Sequence, residues 1–112
     1  MKRTTYNKLI RDNIPEIIKN TGGISKISIL SDEDYKRALH VKMAEEVKEL
    51  TDAQNCDEIL NELADIEEVV HAIAKNNGIP MKEVEKQRKE KVVKRGGFKK
   101  KLFLKYVDKE TS

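Results

Sequence analysis

Met43–Val70, MAEEVKELTDAQNCDEILNELADIEEVV, is the stretch from which the fold can be read. Its spacing predicts two amphipathic helices joined by the polar turn Ala53-Gln54-Asn55-Cys56. At ~100° per residue, Tyr35, Leu39, Met43, Val47, Leu50 and Ala53 form one apolar stripe on the first helix. Ile59, Leu60, Leu63, Ile66, Val69, Val70 and Ile73 form the stripe of the second. Acids interrupt both. Glu46 falls near the middle of the first stripe, with Glu49 ~60° to one side. Glu62 lies inside the second stripe and Asp65 at its border, whereas Glu45 and Glu68 point away.

The turn brings these acids level. Counted from Asn55, Glu49 is six residues away and Glu62 seven, while Glu46 is nine and Asp65 ten. In an antiparallel hairpin rising ~1.5 Å per residue, the two pairs face each other at similar heights. Four like charges on an inward face raise one another's pKa unless a cation sits among them. An all-oxygen donor set suits Mg²⁺, or Mn²⁺, better than Zn²⁺. The same pattern also admits acids that pair with the chain's many lysines.

The chain has 112 residues, 38% of them apolar and 38% charged, with no Trp. That length is one domain, residues 1–112, with a thin core, so assembly with further copies is expected to add burial. The net charge of +3 is unevenly spread: residues 82–105 carry eleven Lys or Arg, while 31–68 are rich in acid. The single cysteine, Cys56, excludes an internal disulfide framework and suits a reducing compartment. No apolar run approaches membrane-spanning length, and MKRTTYNKLIRDN lacks the apolar centre of a signal peptide. The expected setting is cytoplasmic, with no membrane partner.

Upstream, Asp12 and Asn13 precede Pro15 and a short helix carrying Ile14, Ile17 and Ile18, which Asn20-Thr21-Gly22-Gly23 ends. Lys8 and Arg11 flank this segment as cations, either solvated or available to a ligand. Residues 24–30 (ISKISIL) are β-branched and read as a short strand. Ser31-Asp32-Glu33-Asp34 has the form of a helix start, and Asp57 is placed to cap the helix after the turn. Gly78 ends that helix. Pro80 opens a fourth, PMKEVEKQRKEKVVKR, closed by Gly96-Gly97. Its sparse apolar face is shared by Arg88, Lys91 and Arg95, which could either pair with acids or hold phosphate oxygens. Residues 102–107 (LFLKYV) have strand composition and could pair with 24–30, and Asp108–Ser112 reads as a frayed tail.

EEVKE (Glu45–Glu49), twelve intervening residues and ELAD (Glu62–Asp65) resemble the EExxE…ExxD signature of the all-α nucleoside triphosphate pyrophosphatases, the MazG-like superfamily. KMAEE (Lys42–Glu46) stands where the phosphoribosyl-ATP pyrophosphohydrolase branch has KxxEE. YNKLIRDNIPEII (Tyr6–Ile18) and KRGGF (Lys94–Phe98) are similar to stretches of a MazG-like subgroup named after that enzyme. The resemblance covers residues 6 to about 98. It implies a mainly α fold, a MazG-like helical bundle completed by oligomerisation; the small two-stranded β element read from residues 24–30 and 102–107 is an addition to that pattern. It also implies Mg²⁺-dependent cleavage of a nucleotide between its α and β phosphates to give a monophosphate and pyrophosphate. Carried over residue by residue, the catalytic and metal-binding acids are Glu46, Glu49, Glu62 and Asp65. Lys8, Arg11, Lys91 and Arg95 are the candidates for binding substrate phosphates. A homodimer, or a tetramer built of dimers, is the expected assembly. One element of the pattern is missing. The tyrosine-histidine pair that follows ExAD in the histidine-pathway enzyme has no counterpart, since Asp65 is followed by Ile66-Glu67-Glu68, which argues against that pathway.

Two other functions fit parts of the sequence. One is a silent relative that binds nucleotides without turnover. The other is a nucleic-acid-binding module built on Arg88–Lys105, but the acidic hairpin would repel a phosphate backbone and no nucleic-acid motif accompanies the lysines.

Overall fold

A computed structural model describes residues 2–111; Met1 and Ser112, the outer ends of the expected domain and tail, lie outside the described residues. The order of elements is α1 (Ile14–Asn20), α2 (Asp32–Asp52), α3 (Cys56–Asn76) and α4 (Met81–Arg95). The chain divides into two compact units, Met1–Ile79 and Pro80–Ser112.

In the first unit, α2 and α3 pack side by side as a helical hairpin, and the caps explain where each helix starts and stops. Ser31 is extended and its side chain accepts a hydrogen bond from the Asp34 amide at 3.2 Å, with Asp32, Glu33 and Asp34 at the positive end of the helix dipole. At the turn the cap is Asn55 rather than Asp57. Asn55 Oδ1 accepts from the Glu58 amide at 2.9 Å, while Glu58 Oε2 accepts from the Gln54 amide at 2.6 Å. Asp57 falls inside the first turn of α3, where it serves the dipole instead. The helix ends as expected: Gly78 adopts φ 68°, and the Ile79 amide reaches back to the Ala74 carbonyl at 2.9 Å. The seven-residue α1 has Pro15 in its first turn, but Asn13 makes no side-chain capping bond. Its C-terminus is closed by the Gly23 amide on the Ile18 carbonyl at 2.9 Å.

The interior is small. Leu39 of α2 and Val69 and Ala74 of α3 are the buried apolar residues among those described, and the only buried charged one is Glu46. The two stripes are buried unevenly. Val47, Ile59, Leu60 and Leu63, all on the turn-side half of the hairpin, remain exposed, Leu60 at 68%.

The expected two-stranded β element is not present. Among the described residues no strand occurs, and both 24–30 and 102–107 lack regular structure. A strand is held by a ladder of backbone hydrogen bonds to a partner, so β-branched composition does not suffice. The side chains bury nothing that would compensate: Ile29 is 98% exposed and Phe103 87%. The mainly α expectation stands without the sheet.

In the second unit, Pro80 precedes α4, where its missing amide proton costs no helical bond. Gly96 at φ 79° ends the helix, and its amide bonds the Val92 carbonyl at 2.8 Å. A turn from Phe98 to Lys101 follows. Among the described residues no helix is long and apolar enough to cross a membrane.

Asn55→Ala should lower the free energy of unfolding in urea by about 1 kcal/mol, whereas Asp57→Ala should cost no more than about half of that. The reverse order would restore Asp57 as the cap.

Candidate metal centre

The four acids picked out by helical phase converge. Glu46 and Glu49 of α2 and Glu62 and Asp65 of α3 each offer a carboxylate oxygen, and these atoms all lie within 4.8 Å of one another. The three-residue spacing stacks two acids on one face of each helix, and the short turn sets the two faces together. Burial falls off across the group: Glu46 is 5% exposed, Glu62 and Asp65 are half-buried and Glu49 is exposed.

The polar groups around the cluster do not satisfy it. Among the described residues, Glu46 Oε2 and Glu62 Oε2 are buried without a hydrogen-bond partner. Glu46 Oε1 has the Lys42 ammonium at 3.4 Å, one helical turn back, and the same ammonium is 3.6 Å from Glu45. Asp65 Oδ1 receives the Arg11 guanidinium at 2.8 Å. Each cation reaches one of the four acids, Lys42 pairing with Glu46 and Arg11 with Asp65. Carboxylates this close repel one another, most strongly around the buried Glu46 and least at the exposed Glu49, where water screens the charge. A buried carboxylate oxygen left without a donor costs more still. Four acids converging with hard oxygen donors, two of them carrying a buried oxygen without a partner, fit a hard divalent cation such as Mg²⁺ or Mn²⁺.

Glu46 carries the electrostatic signature of this arrangement. Its burial, and after it the negative charge of Glu49, push its carboxyl above the ordinary glutamate range. Glu62 and Glu49 add to the shift because a protonated Glu46 can donate a hydrogen bond to them, while Lys42 opposes it.

The remaining candidates are placed differently. Arg11 joins the cluster through Asp65. Lys8 is exposed, with its ammonium 5.5 Å from the centre of the Tyr6 ring, a cation–π contact. Lys91 and Arg95 are exposed on α4, in the second unit. Arg88, which shares their face, is held by Glu85 of the same helix, Nε to Oε2 3.0 Å. Lys42 belongs to the KMAEE motif, and its spacing of four residues from an inward acid is the signal that marks it as a partner of the site. Glu45, half-buried, shares the Lys42 ammonium with Glu46 and is not one of the four converging acids.

The phosphoribosyl-ATP pyrophosphohydrolase family description matches residues 6–91, a span that contains the whole acidic cluster, Arg11 and most of α4. This chain belongs to the phosphoribosyl-ATP pyrophosphohydrolase family. Among curated proteins, an uncharacterized protein of Mycolicibacterium smegmatis is 45% identical over 53 residues, which are 47% of this chain and 54% of that protein. The chain thus spans about half the length of the curated relative it matches. No solved structure matches it significantly.

The raised proton affinity of Glu46 predicts a pH effect. The unfolded chain loses the Glu46 proton in the ordinary range, near 4.5, and the folded chain at a higher pH. Between those values the folded state binds more protons, so this group's contribution to stability falls as pH rises through the window. Glu46→Gln removes the charge and adds an amide donor. In EDTA at neutral pH it should raise the unfolding free energy by about 1 kcal/mol and flatten that part of the pH profile. A destabilised variant with an unchanged profile would contradict the electrostatic account.

Proposed function

We propose that the protein is a Mg²⁺-dependent nucleotide pyrophosphohydrolase, with Mn²⁺ as an alternative ion. It splits a nucleoside triphosphate, or a related nucleotide, between the α and β phosphates. Water adds to the α phosphorus, the anhydride bond to the β phosphate breaks, and the products are a nucleoside monophosphate and pyrophosphate. The observation that carries this reading is the buried Glu46, whose unpartnered oxygen faces three further acids in a chain of a pyrophosphohydrolase family.

Glu46, Glu49, Glu62 and Asp65 would hold the ion. A bound Mg²⁺ would supply positive charge to the phosphate oxygens and make water a stronger nucleophile. A carboxylate oxygen left uncommitted to the ion accepts the proton of the attacking water. Arg11, already paired with Asp65, neutralises negative charge on the phosphates, and Lys8 on the same segment is its neighbour in sequence. Lys91 and Arg95 enter the proposal on their chemistry alone, as exposed cations of α4. Residues 1–112 are proposed as one functional domain; the family match, which runs from residue 6 to residue 91 across the boundary after Ile79, supports this for the residues it covers.

Assembly with a second copy belongs to the same proposal. The interior of one chain is thin, and Val47, Ile59, Leu60 and Leu63 stay open beside the acidic cluster on the same two helices. A homodimer, or a tetramer of such dimers, would bury that face. Light scattering after size exclusion should give a dimer or tetramer mass for the wild-type chain and a monomer mass for Leu60→Glu. A monomeric wild type would sink the proposed assembly.

The activity is tested by a panel of nucleoside triphosphates and related nucleotides, assayed for pyrophosphate with Mg²⁺ and with EDTA. Release should require the ion, and Asp65→Asn should lower it by about a hundredfold or more, roughly 2.7 kcal/mol of barrier. Nucleotide binding without pyrophosphate release would mark a silent relative. Release that survives EDTA and the variant undiminished would contradict the site.

A further inference from the structure

The pair between Arg11 and Asp65 differs in kind from the other ion pairs among the described residues. Those link residues three or four apart on one helix and form wherever the helix forms. Arg11 and Asp65 are 54 residues apart, and their 2.8 Å contact joins the segment before α1 to α3. Leu9, Ile10, Ile14 and Ile18, on either side of Arg11, are half-buried. The pair itself stays open to water, with Arg11 57% and Asp65 30% exposed, so it can exchange partners.

Resting on the metal reading above, we infer that Arg11 sets the affinity of the site for the divalent ion by competing with it for Asp65. An ion that takes Oδ1 must displace the guanidinium. An ion that takes the other oxygen of Asp65 binds beside a fixed positive charge. Either way the ion alone binds more weakly than the four acids would otherwise allow. A phosphate group changes the balance, because the planar guanidinium finds there a partner suited to two parallel hydrogen bonds. Once Arg11 has moved to phosphate, Asp65 is released to the ion. Ion and phosphate therefore favour each other's binding, and the ion is retained chiefly when a substrate is present.

The test is a Mn²⁺ titration followed by electron paramagnetic resonance, without nucleotide, on the wild-type chain, Arg11→Gln, Arg11→Lys and Arg37→Gln. Arg37 pairs with Glu33 and Asp34 of α2, outside the cluster, and so controls for the change in net charge. Arg11→Gln should bind Mn²⁺ about three- to tenfold more tightly, the size expected for removing a partly exposed competing charge. Arg11→Lys should stay close to wild type and Arg37→Gln should match it. If Arg11→Gln loses its helical circular dichroism, Arg11→Met, which keeps the apolar stem, carries the comparison. An unchanged or weaker affinity on loss of the Arg11 charge overturns the inference and leaves the metal site standing, as does an equal gain in Arg37→Gln. Absence of Mn²⁺ binding by the wild-type chain overturns the metal reading and this inference together.

Discussion

Glu46 is a carboxylate lying where a helical hairpin would ordinarily place a leucine, and the rest of the fold accommodates it. Its burial removes solvent from a charged group, and its neighbours across the hairpin are more acids rather than bases. Lys42 reaches one of its oxygens and none of the described residues donates to the other. A chain with so few buried apolar residues has little stability to spare for such an arrangement. The cost is understandable if a cation is part of the working molecule, because binding to the folded state alone stabilises that state.

The helical hairpin was legible because its signals are local and periodic. Apolar residues at helical spacing, Ser31 ahead of a run of acids and Gly78 after the last turn each specify structure within a few residues. The cluster followed from the same periodicity together with one count across the turn, which pairs Glu49 with Glu62 and Glu46 with Asp65. Asn55 and Asp57 show where this resolution ends. Both are good capping residues two positions apart, and only the backbone geometry, extended at Asn55, selects between them.

What remained illegible depends on contacts distant in sequence. Residues 24–30 and 102–107 have the composition of strands, but a strand exists through its partner, and neither segment has one among the described residues. Arg11 could be recognised as a candidate cation; its bond to a residue 54 positions away could not. Leu60 and Leu63 belong to an apolar stripe that predicts burial, yet a single chain leaves them open. Amphipathic periodicity identifies the face that prefers to be covered and does not say which molecule covers it.

The central claim is that Glu46, Glu49, Glu62 and Asp65 form one site for a hard divalent ion. Crystals of the protein grown with Mn²⁺ and measured at a wavelength where manganese scatters anomalously test it most directly. The account predicts an anomalous peak bonded to carboxylate oxygens of these four residues, Glu46 among them. A peak bound only to other acids, or a cluster that keeps no manganese while Glu46 pairs with a lysine, would contradict it.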